Sequence, residues 1–214
     1  METKSKPSVV NDIFAYTGPE GAIEYACEPP LVPFHLRRPP QNYGAHDGAI
    51  GFSFHDLPRR TGLRPPTLRG PLHIQCDEHG DPHHLDELTT TVLSWPNVEN
   101  TLPNNRSSNT IPLRLEETAA GYNFAAFTSP REFGRILTGA PTIYLALPLI
   151  CAHWAIIRGW AEPHFLSSHG LMPPGTLVVY TPRDEHESSV CYSLFLAAYC
   201  AASNLSSSAG GAIQ

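Results

Sequence analysis

Basic residues are scarce. Fourteen lysines and arginines stand against 20 acidic residues, a formal charge of −6, and they form no basic block. A phosphate-binding surface needs clustered cations, so nucleic acid is not an expected partner. No apolar run approaches the roughly 18 residues of a membrane-spanning helix, and Met1 to Val10 lack the apolar stretch of a secretory leader. A GxGxxG after a strand, a Walker loop and a GxSxG elbow are all missing, which argues against nicotinamide, ATP and serine-hydrolase chemistry. The five cysteines, Cys27, Cys76, Cys151, Cys191 and Cys200, show no CxxC spacing. Three of them lie in apolar stretches, where thiols behave as small buried hydrophobes, and the pattern suits a reducing, cytoplasmic setting.

Proline is abundant instead. Its 22 residues among 214 are about twice the usual share, and most fall in the first two thirds, which should therefore be rich in extended loops. Residues 1–48 read as an extended Pro-rich arm, 49–204 as one α+β domain and 205–214 as a disordered tail.

Within the domain, Ile50, Phe52 and Phe54 alternate, as do Leu72, Ile74 and Cys76 opposite His73 and Gln75. Both patterns suggest short strands. Asp81-Pro82 supplies a helix start, with an apolar stripe at Leu85, Leu88, Val92 and Leu93 and an end before Pro96. Strands follow at Thr110 to Glu116 and Tyr122 to Phe127, joined as a hairpin around Gly121, and another at Thr142 to Leu147. Pro148 opens a helix to about Ile157, apolar nearly all round and so expected to be buried, which Gly159 ends. After a loop from Trp160 to Gly175 and a strand at Leu177 to Tyr180, Thr181-Pro182-Arg183-Asp184 resembles a capping box opening a last helix to about Ala202. The expected fold is a single, mostly antiparallel sheet with helices packed on one face.

Three polar clusters stand out. The segment Asp77 to His84 holds six potential ligands in eight residues, but it runs into a helix N-terminus and lacks HExxH or facial-triad spacing, so it reads as a solvated loop and no metal is expected. Trp160-Ala161-Glu162-Pro163-His164 could supply a stacking surface, a carboxylate and a proton shuttle. If Glu162 orients the His164 imidazole, its pKa rises toward neutrality, where acid–base catalysis is efficient. Arg183 would oppose the dipole of the last helix in its first turn, so it needs an ion pair or a ligand oxygen. Arg59, Arg60, Arg64 and Arg69, set among prolines, read as a solvated or site-lining loop.

These residues resemble a known family. Arg158-Gly159-Trp160-Ala161-Glu162-Pro163-His164-Phe165-Leu166, then Val179-Tyr180-Thr181-Pro182-Arg183-Asp184-Glu185, and upstream Asp56 to Pro65 are similar to the ordered motifs of the luciferase domain of fungal luciferases and their mostly non-luminous relatives. Some family features are missing. Arg135 to Gly139 hold no His-x-His, Tyr144 stands where the family has a histidine, and Ala161 replaces a glycine.

The resemblance implies a pocket for a flat, enolisable, pyrone- or polyketide-like molecule, with no cofactor. The corresponding expectation is a biosynthetic enzyme that cyclises or rearranges such a compound. Its alternatives are an O2-dependent oxygenase, as in the luminous members, and a non-catalytic binder of a hydrophobic metabolite. The site it implies uses His164, Glu162 and Arg183 catalytically, with Trp160, Tyr144, Arg64, His73 and Tyr180 binding the substrate. A hydrophobic small molecule is the expected partner, and a homodimer is left open.

Overall fold

The computed structural model describes residues 57–99, 109–118, 128–129 and 131–203. The arm at 1–48, the strand at Ile50 to Phe54, the hairpin around Gly121 and the tail at 205–214 lie outside them.

Five strands form one wholly antiparallel sheet. They are β3 (Thr110–Arg114), β4 (Glu132–Leu137), β5 (Thr142–Ala146), β6 (Ala161–Pro163) and β7 (Thr176–Val179), in the order β3-β4-β5-β7-β6. Both edge strands carry a proline, Pro112 and Pro163, where a missing ladder donor is tolerated and further pairing is discouraged.

Side chains alternate across the sheet. One set, including Leu113, Ile136, Ile143, Leu145, Leu177 and Val179, joins the main core with α1 (Pro82–Leu93), α2 (Leu149–Ile157) and the long α4 (Glu185–Ala202). The other face carries Leu137, Tyr144 and Val178 and is covered by Ile74. Ile74 belongs to a two-stranded hairpin, β1 (Thr67–Leu68) and β2 (Ile74–Gln75). The α+β class with helices on one face is as expected, with a hairpin added on the other.

Several elements match their sequence signals. Helix α1 begins at Pro82, with Asp81 as N-cap accepting from His83 N–H, and ends at Leu93. Gly159 takes φ +84° just past α2, the left-handed conformation expected there.

Others differ. Strand β4 has no clean apolar alternation, because Glu132, Gly134 and Arg135 sit inside it, yet it occupies the sheet interior. Glu132 is buried and held by Ser129, Arg114 and Arg135. Helix α2 is not buried all round: Cys151, Ala152, Ala155 and Ile156 face the core, but Leu149 is 52% and Ile157 39% exposed. The Trp160 to Gly175 segment is not a plain loop, since it forms edge strand β6 and the short helix α3 (Phe165–Ser168). Thr181 does not cap the last helix. Asp184 does, accepting from Glu187 N–H, while Thr181 is buried with its N–H on the Gln75 side-chain oxygen.

Candidate functional site

The hairpin docks chiefly through its polar side, with Ile74 of its apolar set also against the sheet. In β2 the alternation predicts Leu72, Ile74 and Cys76 on the buried face, yet Leu72 is 59% exposed and Cys76 is exposed, whereas His73 and Gln75 are fully enclosed. What rewards the inversion is a set of hydrogen bonds. Gln75 N–H donates to Thr142 Oγ1, and its amide group serves Thr181, Asp77 and Glu78. His73 meets Glu162.

The sheet register explains why Glu162 is there to meet. Arg135, Tyr144, Val178 and Glu162 are cross-strand partners on β4, β5, β7 and β6. Directly paired residues share a face, so one transverse row presents Tyr144 and Glu162 to the hairpin.

Glu162 is 6% exposed and accepts from Thr67 Oγ1 at 2.5 Å, His73 Nε2 at 2.7 Å and Arg69 Nη2 at 3.1 Å. Burial pushes its carboxyl up, but the three donors together outweigh that and hold it down at about 2. It is therefore ionised at neutral pH. His73 Nδ1 accepts from Phe165 N–H at 3.0 Å, which fixes the proton on Nε2 and makes that nitrogen the donor to Glu162. Both ring nitrogens of His73 are thus occupied.

His164 has a different status. It N-caps α3, its Nδ1 accepting from Leu166 N–H at 3.2 Å. Its ring lies edge-on to Tyr144 (centroids 4.7 Å apart, 81°) and 5.6 Å from His73. Glu162 does not orient it, contrary to the sequence expectation, because the carboxylate's histidine partner is His73. Nor is its pKa raised. Burial, with His73 alongside, lowers it to about 4, so the ring is neutral at physiological pH. With Nδ1 accepting, the proton must sit on Nε2. That Nε2 is buried and, among the described residues, has no hydrogen-bond partner. An orphan donor inside a folded protein is costly and calls for an explanation.

The other sequence-proposed residues divide. Tyr144 stands beside His164 and donates its hydroxyl to His73 O at 2.9 Å; burial pushes its pKa up to about 12. Tyr180 lies near Glu162, its hydroxyl pushed up to about 12 by burial and by that carboxylate, and the Arg60 guanidinium sits over its ring at 5.5 Å. Trp160 is in the helix-side core, 1% exposed, with its indole N–H on Pro58 O at 2.5 Å. Arg64 donates to Ile156 O at 2.7 Å, at the C-terminal end of α2.

Arg183 precedes the cap of α4 rather than entering its first turn. It grips Glu187 through Nε and Nη2 and reaches Glu78 and Thr61 O. The buried Arg60 adds ion pairs to the same two carboxylates, 3.6 Å from Glu78 and 3.5 Å from Glu187. Replacing Arg183 with alanine should therefore cost about 1–3 kcal/mol of stability in urea denaturation, by leaving Glu187 under-satisfied, with little change in kcat.

His73, Glu162, His164 and Tyr144 are thus brought together, with Tyr180 at the margin, whereas Trp160, Arg64 and Arg183 are engaged elsewhere. Thr67, Gln75, Glu78 and Glu187 were not among the expected site residues. Their only sequence signal is polarity on the wrong side of an alternation or beside a cap. Among the described residues no group of three or more His, Cys, Asp or Glu is arranged to hold a metal ion, and no helix is long and apolar enough to cross a membrane.

Together these features define an α+β domain in which two histidines, a carboxylate and a tyrosine are enclosed beneath a hairpin. Residues 130–198 match the Luciferase domain family, so the resemblance read from the Arg158 and Val179 motifs is borne out over that span, which stops short of the Asp56 to Pro65 segment. No curated protein and no solved structure gives a significant match.

Proposed function

We propose that this chain is a cofactor-independent enzyme that cyclises or rearranges an enolisable, pyrone- or polyketide-like compound, with His164 as the group that meets the reacting oxygen. The observation that carries this reading is the unpartnered Nε2–H of a neutral, wholly buried His164. A neutral imidazole held in one tautomer is a poor proton shuttle but a good fixed donor. Aimed at a carbonyl oxygen, it stabilises the negative charge that develops there on enolisation or ring closure.

The role suggested for His164 as acid or base therefore becomes that of a hydrogen-bond donor. Glu162, near 2 and accepting three donors, positions His73 and the hairpin rather than taking a proton. Tyr144 holds the His164 ring by edge-on packing. The lack of nucleotide-binding motifs in the sequence supports the cofactor-free assignment.

The Luciferase domain match favours a second reading, oxygenation of the same class of substrate with O2. Incubation with hydroxy-pyrones and linear 1,3-dicarbonyl compounds separates the two. Product formed under argon supports cyclisation or rearrangement. Turnover that stops without O2 and consumes it stoichiometrically supports oxygenation. Saturable binding with no product in either atmosphere overturns both and leaves a carrier.

A further inference from the structure

A reactant that meets His164 Nε2 must reach an atom that is buried, so some element has to part above it. The sheet is poorly suited to do so. The His164 ring lies against Tyr144 of β5, and the strands beneath it carry the main core on their other face. Above them lies the β1–β2 hairpin, whose His73 ring is 5.6 Å from that of His164.

The hairpin is held mostly by polar contacts. Ile74 packs half-buried against the face it covers, while Leu68 and Leu72 are 61% and 59% exposed. Thr67, Arg69 and His73 all end on the one carboxylate of Glu162. Phe165 N–H donates to His73 Nδ1, and the Tyr144 hydroxyl to His73 O. Such groups exchange protein partners for water when they separate, whereas moving a core helix exposes apolar surface with no such replacement. Segments with few buried apolar contacts are the ones that open locally.

The two feet of the hairpin are fixed. On the near side Arg64 donates to Ile156 O and Pro65 is buried. On the far side Gln75 N–H donates to Thr142 Oγ1 and its side-chain oxygen accepts Thr181 N–H, while Cys76 N–H ties back to Pro66 O. Further on, a Cβ on Gly80 would come 2.4 Å from Arg183 Cα, so that turn lies tightly on the domain. At the tip the packing is open: among the described residues nothing lies within 4 Å of a Cβ built on Gly70.

We propose that Thr67 to Ile74 form a flap over His164, latched by Glu162 and hinged at Pro66 and Gln75, which lifts to admit the compound; its purpose rests on the reading of His164 given above. Native-state hydrogen exchange of the full chain, read by NMR, tests the motion without any substrate. Phe165 N–H should exchange at least about 100-fold faster than the amides of β5 and β7, at a rate insensitive to low urea, as local opening requires. Thr67→Val should quicken it about tenfold, the order of one hydrogen bond to a charged group. Arg69→Ala, which removes a side chain that is 68% exposed, should quicken it about two- to fivefold. Leu166 N–H, held by His164 Nδ1, should be unchanged in both variants, because α3 stays in place when the flap lifts. Exchange of Phe165 only together with β5 and β7, no effect of either variant, or equal acceleration of Leu166 overturns the flap. Opening as described, combined with unchanged turnover in His164→Asn, leaves the flap standing and overturns the function instead.

Discussion

Replacing His164 with asparagine should lower kcat about 10²–10³-fold, the usual loss when one donor to a developing oxyanion is removed, with the fold retained. Asparagine is chosen because its side-chain oxygen can still cap α3 by accepting Leu166 N–H, as His164 Nδ1 does, but it reaches too short a distance to replace Nε2–H. Steady-state kinetics and circular dichroism on the same preparation separate chemistry from folding. A loss confined to kcat matches a donor used in the transition state, whereas a pure rise in KM would mean that His164 only binds the ground state. Since His164 is already neutral above about pH 4, its contribution to kcat should be flat between pH 5 and 8. A general base at that position would instead give activity rising through neutrality.

Glu162→Gln should be the most damaging single change to stability, and its effect should depend on pH. The folded-state carboxyl lies at about 2 against an ordinary 4.5. Between those values the unfolded chain binds more protons, so the stabilisation is complete above about 4.5 and is lost as pH falls toward 2. A gap of that size is worth on the order of 3 kcal/mol at neutral pH.

His164 adds an earlier window of the same sign. Its folded pKa of about 4 against 6.5 means that stability is complete above 6.5 and declines by a similar order as pH falls to 4. Urea midpoints measured from pH 7 to pH 2 should therefore show two successive declines in the wild type. His164→Asn should abolish the upper one only. Glu162→Gln should start about 3 kcal/mol lower and converge on the wild type at the acid end. Parallel curves for Glu162→Gln and wild type would mean that the carboxylate is not held by His73, Thr67 and Arg69 as described.

The elements with regular apolar patterns were legible: α1 with its Asp81-Pro82 start, β5, α2 and β7 lie where periodicity and caps put them, and α4 lies where its apolar run put it although Asp184, not Thr181, caps it. Strand β4 was not, because burying Glu132 depends on Arg114 and Arg135 closing around it, and neither the charge nor its partners announce that locally. The same holds for β2. Alternation identifies a strand but not which side faces in, and here Glu162, about 90 residues away, decides that His73 is the inner one.

The motif Glu162-Pro163-His164 was read as one chemically dense unit, yet its two polar side chains take separate partners. Neighbours two apart on a strand-to-helix junction need not share partners, and His164 turns to cap α3 while Glu162 turns to the hairpin. Trp160 shows the reverse failure. An aromatic next to a polar cluster looks like a binding surface, but its indole N–H is taken by Pro58 O and its ring by the core. Arg59, Arg60, Arg64 and Arg69 read as a solvated or site-lining loop, but residues 57–64 are fastened to the domain by Leu57 in the core, Arg60 N–H on Arg158 O, and Arg64 on Ile156 O. These are long-range contacts that no local pattern encodes.

Protonation of the His164 ring tests the central claim most directly. Two-dimensional ¹⁵N–¹H spectra of histidine-labelled protein, assigned with His164→Asn, report the tautomer and the titration midpoint together. The expected result is a single neutral ring protonated at Nε2 at pH 7, titrating near 4, whose Nε2–H signal moves when an enolisable pyrone is added. A ring that titrates near 6.5, carries its proton on Nδ1, or ignores every such ligand would contradict it.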